Sequence, residues 1–301
     1  MSYNILYTAD LHGNKEFYKK LIEKAKENII RAVVIGGDLC PKRTGTLKQS
    51  INYQKEFLKT FFIPQLSILK KDIFFIMGND DFRINETILK NTKKSVKQIS
   101  GELGNQRFPV SRKSERFSRM PEIQGISEHN NNLNYINKNR CKLFNKNIVG
   151  YSFVNPTPFR SKDWEKFDDE KQEKPNQFFD YEIRTVKKEE GTIKEDLSNL
   201  IKLSNPKKTI YVFHTPPFNT KLDIITDGTH VGSKALREFI EKQQPYLTLH
   251  GHIHESPKMS GSFIDKIDKT ICINVGSSYP KMKLNCVVID IKNLDVKYLE
   301  L

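Results

Sequence analysis

Five short apolar segments of the sequence each end in a turn marked by glycine or proline that carries Asp, Asn or His side chains. These turn residues are Asp10, His12, Asp38, Asn79, His214, His252 and His254. Carboxylate, amide and imidazole groups together suit borderline divalent metal ions. A carboxylate has two oxygens, so Asp38 could bridge two ions while the imidazoles fill the remaining coordination positions. The set therefore predicts a site for a pair of metal ions.

The apolar segments before these turns have the length and composition of buried strands. They cover residues 3–8, 32–35, 73–77, 209–213 and 246–249. Helical spacing of apolar residues in 15–28 and 47–69 separates the first three segments, and Pro64 is expected to bend or break the longer helix. Short connections between strands and helices predict parallel pairing with right-handed crossovers. Because ligands of such sheets bind beyond the carboxyl ends of the strands, distant residues can meet there.

Each motif taken alone has an ordinary structural explanation. A Gly-Asp pair such as the one containing Asp38 is usually a turn or a helix cap. A single histidine before two prolines, as at His214, is more often structural. The Gly-His-x-His motif with His252 and His254 is a stronger signal, because two imidazoles in one tight turn can chelate an ion. All five motifs occur in order, each after a predicted strand, and this conjunction favours the metal site.

The composition favours an anionic partner and a cytoplasmic location. The 301-residue chain has a formal net charge of +14, and its lysines are spread along the whole sequence. Such a charge raises the odds of an anionic partner such as a nucleotide, a membrane surface or, less favoured, a nucleic acid, although the even spread of lysines also fits a compositional bias. No apolar run approaches the roughly 18 residues that span a bilayer, so no membrane partner is expected. Four cysteines without C-x-x-C spacing or a secretory signal predict reduced thiols. The oligomeric state stays open.

We predict a single domain over residues 1–301 with a loop-rich insertion at about residues 98–190. Residues 133–136 and 147–153 inside this insertion are predicted strands. Trp164, the only tryptophan, lies in a charged stretch rich in proline, which is expected to be a long loop. Its side chain could stack on a base or fill the space between a lid and the body of the protein.

The C-terminal part is expected to close the fold with further strands and helices. The predicted strands are residues 271–275, 286–291 and 296–299. Helices are predicted at 189–203 and at 231–242, the second following a loop at 228–233. The amides of this loop could hold a phosphate at the start of the helix. Alternatively, Ser233 only caps that helix.

The order Asp-x-His, Gly-Asp, Gly-Asn, His and Gly-His-x-His resembles that of the calcineurin-like metallophosphoesterases. The matching motifs extend from Asp10 to His254, which is most of the chain. Residues 228–233 together with 254–256 resemble a prokaryotic phosphodiesterase-like branch of that family. The resemblance implies an α/β fold, a four-layer α-β-β-α sandwich in which two mixed sheets are flanked by helices.

The resemblance also implies how the site works. Asp10, His12, Asp38 and His254 would hold one ion, and Asp38, Asn79, His214 and His252 the other. Mn²⁺ is the first choice, with Fe, Zn, Ni and Mg as alternatives. A hydroxide bridging two such ions would hydrolyse a phosphate ester, with a phosphodiester favoured. The alternative is a metal-binding scaffold or interaction protein that uses the same fold without turnover.

One position departs from the family pattern. The family usually has histidine directly after the asparagine of the Gly-Asn motif, where it assists the leaving group, and this chain has Asp80. Two nearby cations would keep the Asp80 carboxylate ionised at neutral pH, so it could not donate a proton. Three outcomes stay open: a preference for good leaving groups, another acid with His230 as first candidate, or slow turnover.

Overall fold

The computed structural model describes residues 3–91, 132–159, 162–172 and 190–301. Within these ranges, twelve strands form two six-stranded sheets. The strands are β1 Asn4–Thr8, β2 Ile30–Ile35, β3 Asp72–Phe75, β4 Leu133–Tyr135, β5 Arg140–Leu143, β6 Lys146–Tyr151, β7 Thr209–Phe213, β8 Leu247–His250, β9 Ile264–Ile267, β10 Thr270–Asn274, β11 Asn285–Asp290 and β12 Asp295–Glu300.

Both sheets are mixed. The first has the order β12-β11-β1-β2-β3-β4, in which β1 to β4 pair in parallel and β11 and β12 pair antiparallel. The second has the order β5-β6-β7-β8-β10-β9, with four parallel strands between antiparallel edge strands β5 and β9. The carboxyl ends of β1, β2 and β3 therefore lie along one edge of the first sheet, and those of β7 and β8 along one edge of the second.

The apolar alternation of the strands explains why two sheets pack between helices. Ile5 and Tyr7 of β1 belong to a buried cluster that also contains Ile210 and Val212 of β7, so this face of each sheet meets the other sheet. The intervening residues, such as Leu6, face a second cluster that includes helix residues. Strands buried on both faces need nearly continuous apolar sequence, which these segments have. The four-layer α/β sandwich with two mixed sheets is confirmed.

Helices cover the outer faces of the sheets. They are α1 Lys15–Ala25, α2 Leu47–Phe57, α3 Ile63–Ser67, α4 Glu86–Lys90, α5 Ile193–Leu203, α6 Lys234–Gln243 and α7 Ser256–Ser260. A π-helical turn at Leu58–Phe62 separates α2 from α3, and Pro64 is the second residue of α3. The expected break in the long helix is thus present. It lies just before the proline, whose missing N–H falls where a helix start needs no donor.

The helix predicted at 231–242 begins later, at Lys234. Ser233 is its N-cap, and the Ser233 side chain accepts a hydrogen bond from the amide of Leu236. The helix predicted at 189–203 likewise begins at Ile193, because Thr192 and Glu195 form a capping box there. Both shifts have one physical cause, since side-chain caps rather than apolar spacing set where a helix starts.

The predicted insertion at 98–190 is described only in part, since residues 98–131, 160–161 and 173–189 lie outside the described residues. The described part includes β4, β5 and β6, which are strands of the two sheets: β4 pairs with β3, and β5 and β6 pair with each other, with β6 also next to β7. Trp164 is 1% exposed and packs against Phe153 with ring centroids 5.1 Å apart. It therefore fills the protein body, and the alternative that it stacks on a base is wrong. No helix within the described ranges has the length and apolar character to cross a membrane.

Candidate metal centre

The seven predicted ligand residues meet at the carboxyl ends of the strands, and we call them the strand-end floor. The strand-end floor consists of Asp10, His12, Asp38, Asn79, His214, His252 and His254. The first four follow β1, β2 and β3 of one sheet, and the three remaining histidines follow β7 and β8 of the other. Both sheets thus contribute to one site, although the residues span most of the sequence.

Four residues of the strand-end floor form the first group of donor atoms. His12 Nε2 lies 3.1 Å from His254 Nε2 and 3.7 Å from Asp38 Oδ2. His254 Nε2 is 3.5 Å from Asp10 Oδ1. One ligand atom from each of these four residues lies within 4.8 Å of the others, a spacing that fits a single metal ion. Two carboxylates and two imidazoles are a donor set that suits a divalent cation.

The second group uses the other oxygen of Asp38. Asp38 Oδ1 lies 3.4 Å from His214 Nε2, while Asp38 Oδ2 faces His12. Asn79 Oδ1 is 3.2 Å from His214 Nε2 and 3.1 Å from His252 Nδ1. Asp38 therefore stands between two groups of donors, one oxygen toward each. This arrangement fits a carboxylate shared by two cations.

The backbone is strained where it presents these side chains. Asp10, His12, Asp38 and His252 have φ angles of 57°, 44°, 50° and 69°, in the left-handed region. Each such residue costs on the order of 1 kcal/mol, and the strain persists only where the surroundings fix it. Here the amides of Asp10 and His12 donate to the carbonyls of Gly37 and Asp38, at 3.1 and 2.8 Å. Hydrogen bonds between the turns after β1 and β2 therefore hold the ligands in place.

Gly78 permits the close approach of the turn after β3. A Cβ at this position would lie 2.3 Å from Asp38 Oδ1 and 2.5 Å from His214 Nε2. Neither atom could move away without leaving the donor group. Glycine before Asn79 is therefore required by the packing of the site itself, and this explains the Gly-Asn motif physically.

Burial and neighbouring charges set the protonation states of the metal-free site. Burial lowers the pKa of His12 to about 4 and that of His252 to about 3, so both are neutral at pH 7. Burial would also lower the pKa of His214, but Asp38 raises it to about 9. Burial would raise the pKa of Asp38, but His214 and His12 hold it well below its usual range. Asp38 is thus a carboxylate, the form that binds a cation.

Backbone carbonyls and amides orient two of the candidate ligands. The Nδ1 of His214 lies 2.8 Å from the Gly36 carbonyl, which can only accept, so Nδ1 carries the proton and Nε2 faces the site. The amide of His252 donates to both oxygens of Asp10 at 3.1 Å. Such partners fix the tautomer and direction of metal ligands.

Asp81 is a buried residue of the site that the sequence did not single out. Its carboxylate accepts from the amides of Leu39, Cys40 and Gly78 at 2.7–2.9 Å. It therefore joins the turn that carries Asp38 to the turn that carries Asn79. Burial, followed by the charge of Asp38, raises the pKa of Asp81 to about 7. The one sequence signal was an extra acidic residue after the Gly-Asn motif.

A cleft of about 1230 Å³ opens above the strand-end floor. We call the side chains that rise beside it the loop wall: Asp80, Phe159, Lys162, Phe218 and His230. Phe159 is 62% exposed, so the cleft has an apolar surface near its mouth. A cleft of this size can hold a substrate larger than inorganic phosphate.

Asp80 does not stand alone at the position where the family has histidine. Its Oδ1 contacts the ammonium of Lys162, and its Oδ2 lies 3.4 Å from His12 Nδ1. The Asp80 amide donates to Asp38 Oδ1 at 2.8 Å. A lysine from a loop 82 residues away thus occupies the space beside Asp80. No local sequence pattern indicates that these two residues form a pair.

His230 is in the loop wall, as a candidate acid must be. Its Nδ1 lies 2.7 Å from Asp223 Oδ1, and Asp223 is fully buried. Asp223 also accepts from the amides of Thr220 and Gly232, so its position is fixed. Because Nδ1 is engaged by Asp223, Nε2 is the ring nitrogen left for a substrate.

The expectation that the amides of residues 228–233 hold a phosphate is wrong. The amides of Gly228, Val231 and Ser233 donate to the carbonyls of Ile225, Asp223 and Pro216. The Gly232 and Thr229 amides donate to aspartate side chains. Five of the six amides of this loop thus already donate to protein acceptors, and Ser233 has the capping role described above.

Comparison with known proteins agrees with this architecture. Uncharacterized protein MJ1162 of Methanocaldococcus jannaschii is 34% identical over 172 residues, which cover 55% of this chain and 65% of that protein. The chain thus matches somewhat less than two thirds of its relative's length. A solved crystal structure superposes with a TM-score of 0.62, and that of TT1561 from Thermus thermophilus with 0.58. Both are 13% identical, with 100% of this chain and 99% of each structure covered, so they support the fold alone.

A family model provides the assignment. The model described as calcineurin-like phosphoesterase matches residues 3–256, a range that includes the whole strand-end floor. Members of this family are metal-dependent hydrolases of phosphoric esters. Together with the two mixed sheets and the cluster of aspartate and histidine donors, the match shows that the chain belongs to the calcineurin-like phosphoesterase family.

Proposed function

We propose that the protein is a phosphodiesterase that uses two divalent ions, one in each donor group of the strand-end floor. The observation that carries this proposal is the position of Asp38, which directs one oxygen toward His12 and the other toward His214. A carboxylate placed in this way can be shared by both ions. A scaffold without turnover has no physical need for such a complete set of ligands.

The two ions, when bound, would supply a hydroxide at neutral pH and offset negative charge on the phosphoryl oxygens. The chain prepares the ligands for this role. His12 and His252 are already neutral, because burial lowers their pKa values to about 4 and 3. The Gly36 carbonyl holds the His214 ring with Nε2 toward the site. No side chain has to act as nucleophile.

His230 is proposed as the acid that protonates the leaving oxygen. It lies in the same cleft as Asp38 and Asn79, and Asp223 fixes its ring through Nδ1. A proton on Nε2 is then directed to the cleft, as in other histidines oriented by a buried carboxylate. This assignment gives the leaving group a proton source although Asp80 cannot be one.

The loop wall supports a diester rather than a monoester. A diester carries a second ester substituent that a monoester lacks, and this substituent needs a surface to contact. Phe159 and Phe218 line the cleft and can contact a second ester substituent. A small phosphodiester or nucleotide is therefore the proposed substrate. Nucleic acid is the alternative, and it predicts binding that weakens steeply with salt.

Mn²⁺ and a cytoplasmic location complete the proposal. Mixed oxygen and nitrogen donors accept Mn²⁺, and Fe, Zn, Ni and Mg are the alternatives for the same ligand set. All four cysteines are free thiols, and three of them are buried. Free thiols are what a reducing compartment maintains.

Turnover of bis(p-nitrophenyl) phosphate with added Mn²⁺ tests the function. We expect activity that a chelator removes and that Asp38→Ala abolishes. Asp72→Asn is the matched control, because Asp72 is an exposed aspartate at the opposite end of β3. Activity that persists in Asp38→Ala would contradict the shared-carboxylate centre. A wild-type protein that binds metal but turns over no ester would favour the scaffold alternative.

A further inference from the structure

We propose that Lys162 is a catalytic residue that binds a non-bridging phosphoryl oxygen of the substrate with its ammonium group, in the space beside Asp80. The inference deepens the proposed function and rests on it for the identity of the substrate. It assigns a role to Lys162, which is neither one of the candidate metal ligands nor a residue at the end of a strand. It also explains why an aspartate is tolerated at position 80.

The first observation is the place of the Lys162 ammonium relative to the strand-end floor. The ammonium contacts Asp80 Oδ1. The Asp80 amide donates to Asp38 Oδ1 at 2.8 Å, and Asp80 Oδ2 lies 3.4 Å from His12 Nδ1. Asp80 thus holds the lysine one side chain away from the carboxylate that the two donor groups share. Lys162 and Asp38 line the same cleft, so the cation borders the space in which a phosphate would bind over that carboxylate.

The second observation is that the backbone around Lys162 is anchored to the metal-binding turn. The amide of Asp163 donates to the Asn79 carbonyl at 3.0 Å. The Asp163 carboxylate accepts from the amide of Arg83 at 2.8 Å. Trp164 follows and is buried. A surface lysine loses considerable side-chain entropy when it binds a ligand, whereas this one is held near its target before substrate arrives.

The third observation concerns the hydrogen bonds that the ammonium can still make. A lysine ammonium has three N–H donors, and Asp80 uses one of them. The Lys162 side chain is 18% exposed and lines the same cleft as Asp38, Asn79 and His252, with its ammonium 5.6 Å from the centroid of the Phe159 ring. The remaining donors are therefore available to an anion in the cleft.

Lys162 acts as a fixed charge rather than as an acid. Burial would lower the pKa of Lys162, but Asp80 and Asp38 raise it above its ordinary value, so the group keeps its proton. During hydrolysis a hydroxide oxygen bonds to phosphorus, and the P–O ester bond breaks with its electron pair on the leaving oxygen. Lys162 stabilises the charge on the non-bridging oxygen, and the proton for the leaving oxygen comes from elsewhere, His230 in the function proposed above.

The alternative is that Lys162 only neutralises Asp80. The two explanations predict different effects of Lys162 on the affinity for phosphate. A lysine that only neutralises Asp80 affects phosphate through the charge of Asp80, so in Asp80→Asn protein its loss would not change the affinity of the Mn²⁺-loaded protein for inorganic phosphate. A phosphoryl-binding lysine changes that affinity directly, whether or not any ester is hydrolysed.

The test therefore begins with inorganic phosphate binding, measured by calorimetry on Mn²⁺-loaded protein. We expect Lys162→Met to weaken phosphate binding about 10-fold both in the wild-type background and in Asp80→Asn protein, and Lys162→Arg to restore most of it, since a charged hydrogen bond is lost and regained. A loss that disappears in the Asp80→Asn protein would overturn the proposal in favour of simple neutralisation of Asp80. Lys171→Met is the matched control, because Lys171 also lines the cleft. Metal content and circular dichroism of each variant show that the site is intact. Equal losses of phosphate affinity in Lys162→Met and Lys171→Met would overturn the proposal, because they would show that phosphate responds only to the total positive charge of the cleft.

Turnover provides the second readout. Lys162→Met should lower kcat about 10²-fold for diesters of every leaving group, because the lost contact is to a non-bridging oxygen. Added ethylammonium should recover part of the rate in Lys162→Ala. Unchanged kcat and unchanged phosphate affinity in Lys162→Met would refute the role of Lys162.

If the wild type turns over no ester but binds phosphate through Lys162, the proposed function fails and the anion site stands. If it binds no phosphate either, both fail.

Discussion

The strand-end floor and the loop wall form one cleft but are built in different ways. Residues of the floor come directly after strands, and hydrogen bonds between backbone groups connect their turns, as from Gly251 N to the His214 carbonyl at 3.0 Å. The loop wall depends on contacts between loop side chains: Lys162 meets Asp80 from a loop 82 residues away, and His230 meets Asp223 within the connection between β7 and α6. The sheets therefore determine where the proposed ions would bind. The loops determine what the substrate meets above them.

This difference predicts that substitutions in the two regions fail in different ways. Changes in the strand-end floor should remove metal and activity together. Changes in the loop wall should leave the metal in place and alter rate or selectivity. Each of the following experiments tests whether that separation holds.

Among the experiments that compare the two regions, the largest effect is expected for His214→Ala. The substitution removes an imidazole that faces both Asp38 and Asn79, together with the contact between His214 and the Gly36 carbonyl that links the two sheets. Loss of a residue that merely orients a ligand costs about 10- to 100-fold in activity, so loss of a ligand should exceed 100-fold. Metal analysis after dialysis and diester turnover measure both losses. A variant that keeps two ions and has only a lower turnover rate would contradict the distinction between the strand-end floor and the loop wall.

Asp81→Ala should show that the strand-end floor also depends on a residue that binds no substrate. The substitution leaves the amides of Leu39, Cys40 and Gly78 without their acceptor. Each unsatisfied buried donor costs about 1–3 kcal/mol, so we expect the free energy of unfolding to fall by about 3 kcal/mol or more. Urea denaturation of the metal-free protein gives this value. Asp72→Ala on the exposed end of β3 should change the free energy of unfolding little. Equal effects of the two substitutions would contradict the role of Asp81 in joining the two turns.

The sequence predicted the strand-end floor well because each of its parts is local. An apolar strand followed by glycine and a polar residue is visible in about ten residues, as at 73–80. The parallel order of the strands then brings the ends together without further information. All seven residues thus lie where the strand ends predicted, although their binding of metal stays a prediction.

The loop wall could not be predicted in this way because its contacts join residues with no local pattern. Asp80 was recognised as a departure, but its partner Lys162 is 82 positions away in a charged stretch. The same stretch has no local pattern that indicates the burial of Trp164, which anchors it. Helix starts at Ile193 and Lys234 were missed by several residues, since caps rather than apolar spacing determine them.

His230→Gln should separate two kinds of contribution within the loop wall. If His230 protonates the leaving oxygen, turnover should fall about 10²-fold for an unactivated alkyl diester and only slightly for a p-nitrophenyl diester. Bound metal should not change, because His230 contacts Asp223 and not the strand-end floor. The ratio of the two rates is the measurement. A loss that is the same for both esters would assign His230 to binding and leave the leaving group without this acid.

The smallest effect concerns His250, a histidine directly before the last turn of the strand-end floor but not among its ligands. His250 is buried; its Nδ1–H donates to the Thr215 carbonyl at 2.9 Å, and its Nε2 accepts from the Thr248 hydroxyl at 2.8 Å. The neutral ring is fully satisfied, and a proton on Nε2 would displace the Thr248 donor. Burial lowers the pKa of His250 to about 3, compared with an ordinary value of about 6.5.

The sign of the resulting pH dependence follows from which state takes up the proton. Above pH 6.5 His250 is neutral in the folded and the unfolded protein, and stability does not depend on it. As the pH falls below 6.5 only the unfolded chain is protonated, so the free energy of unfolding decreases by about 1.4 kcal/mol per pH unit until about pH 3. In metal-free protein, His250→Asn should therefore lose less stability than the wild type between pH 6 and pH 4. Parallel curves for the two proteins would mean that His250 is protonated in the fold, and that the packing beneath the strand-end floor is looser than its hydrogen bonds indicate.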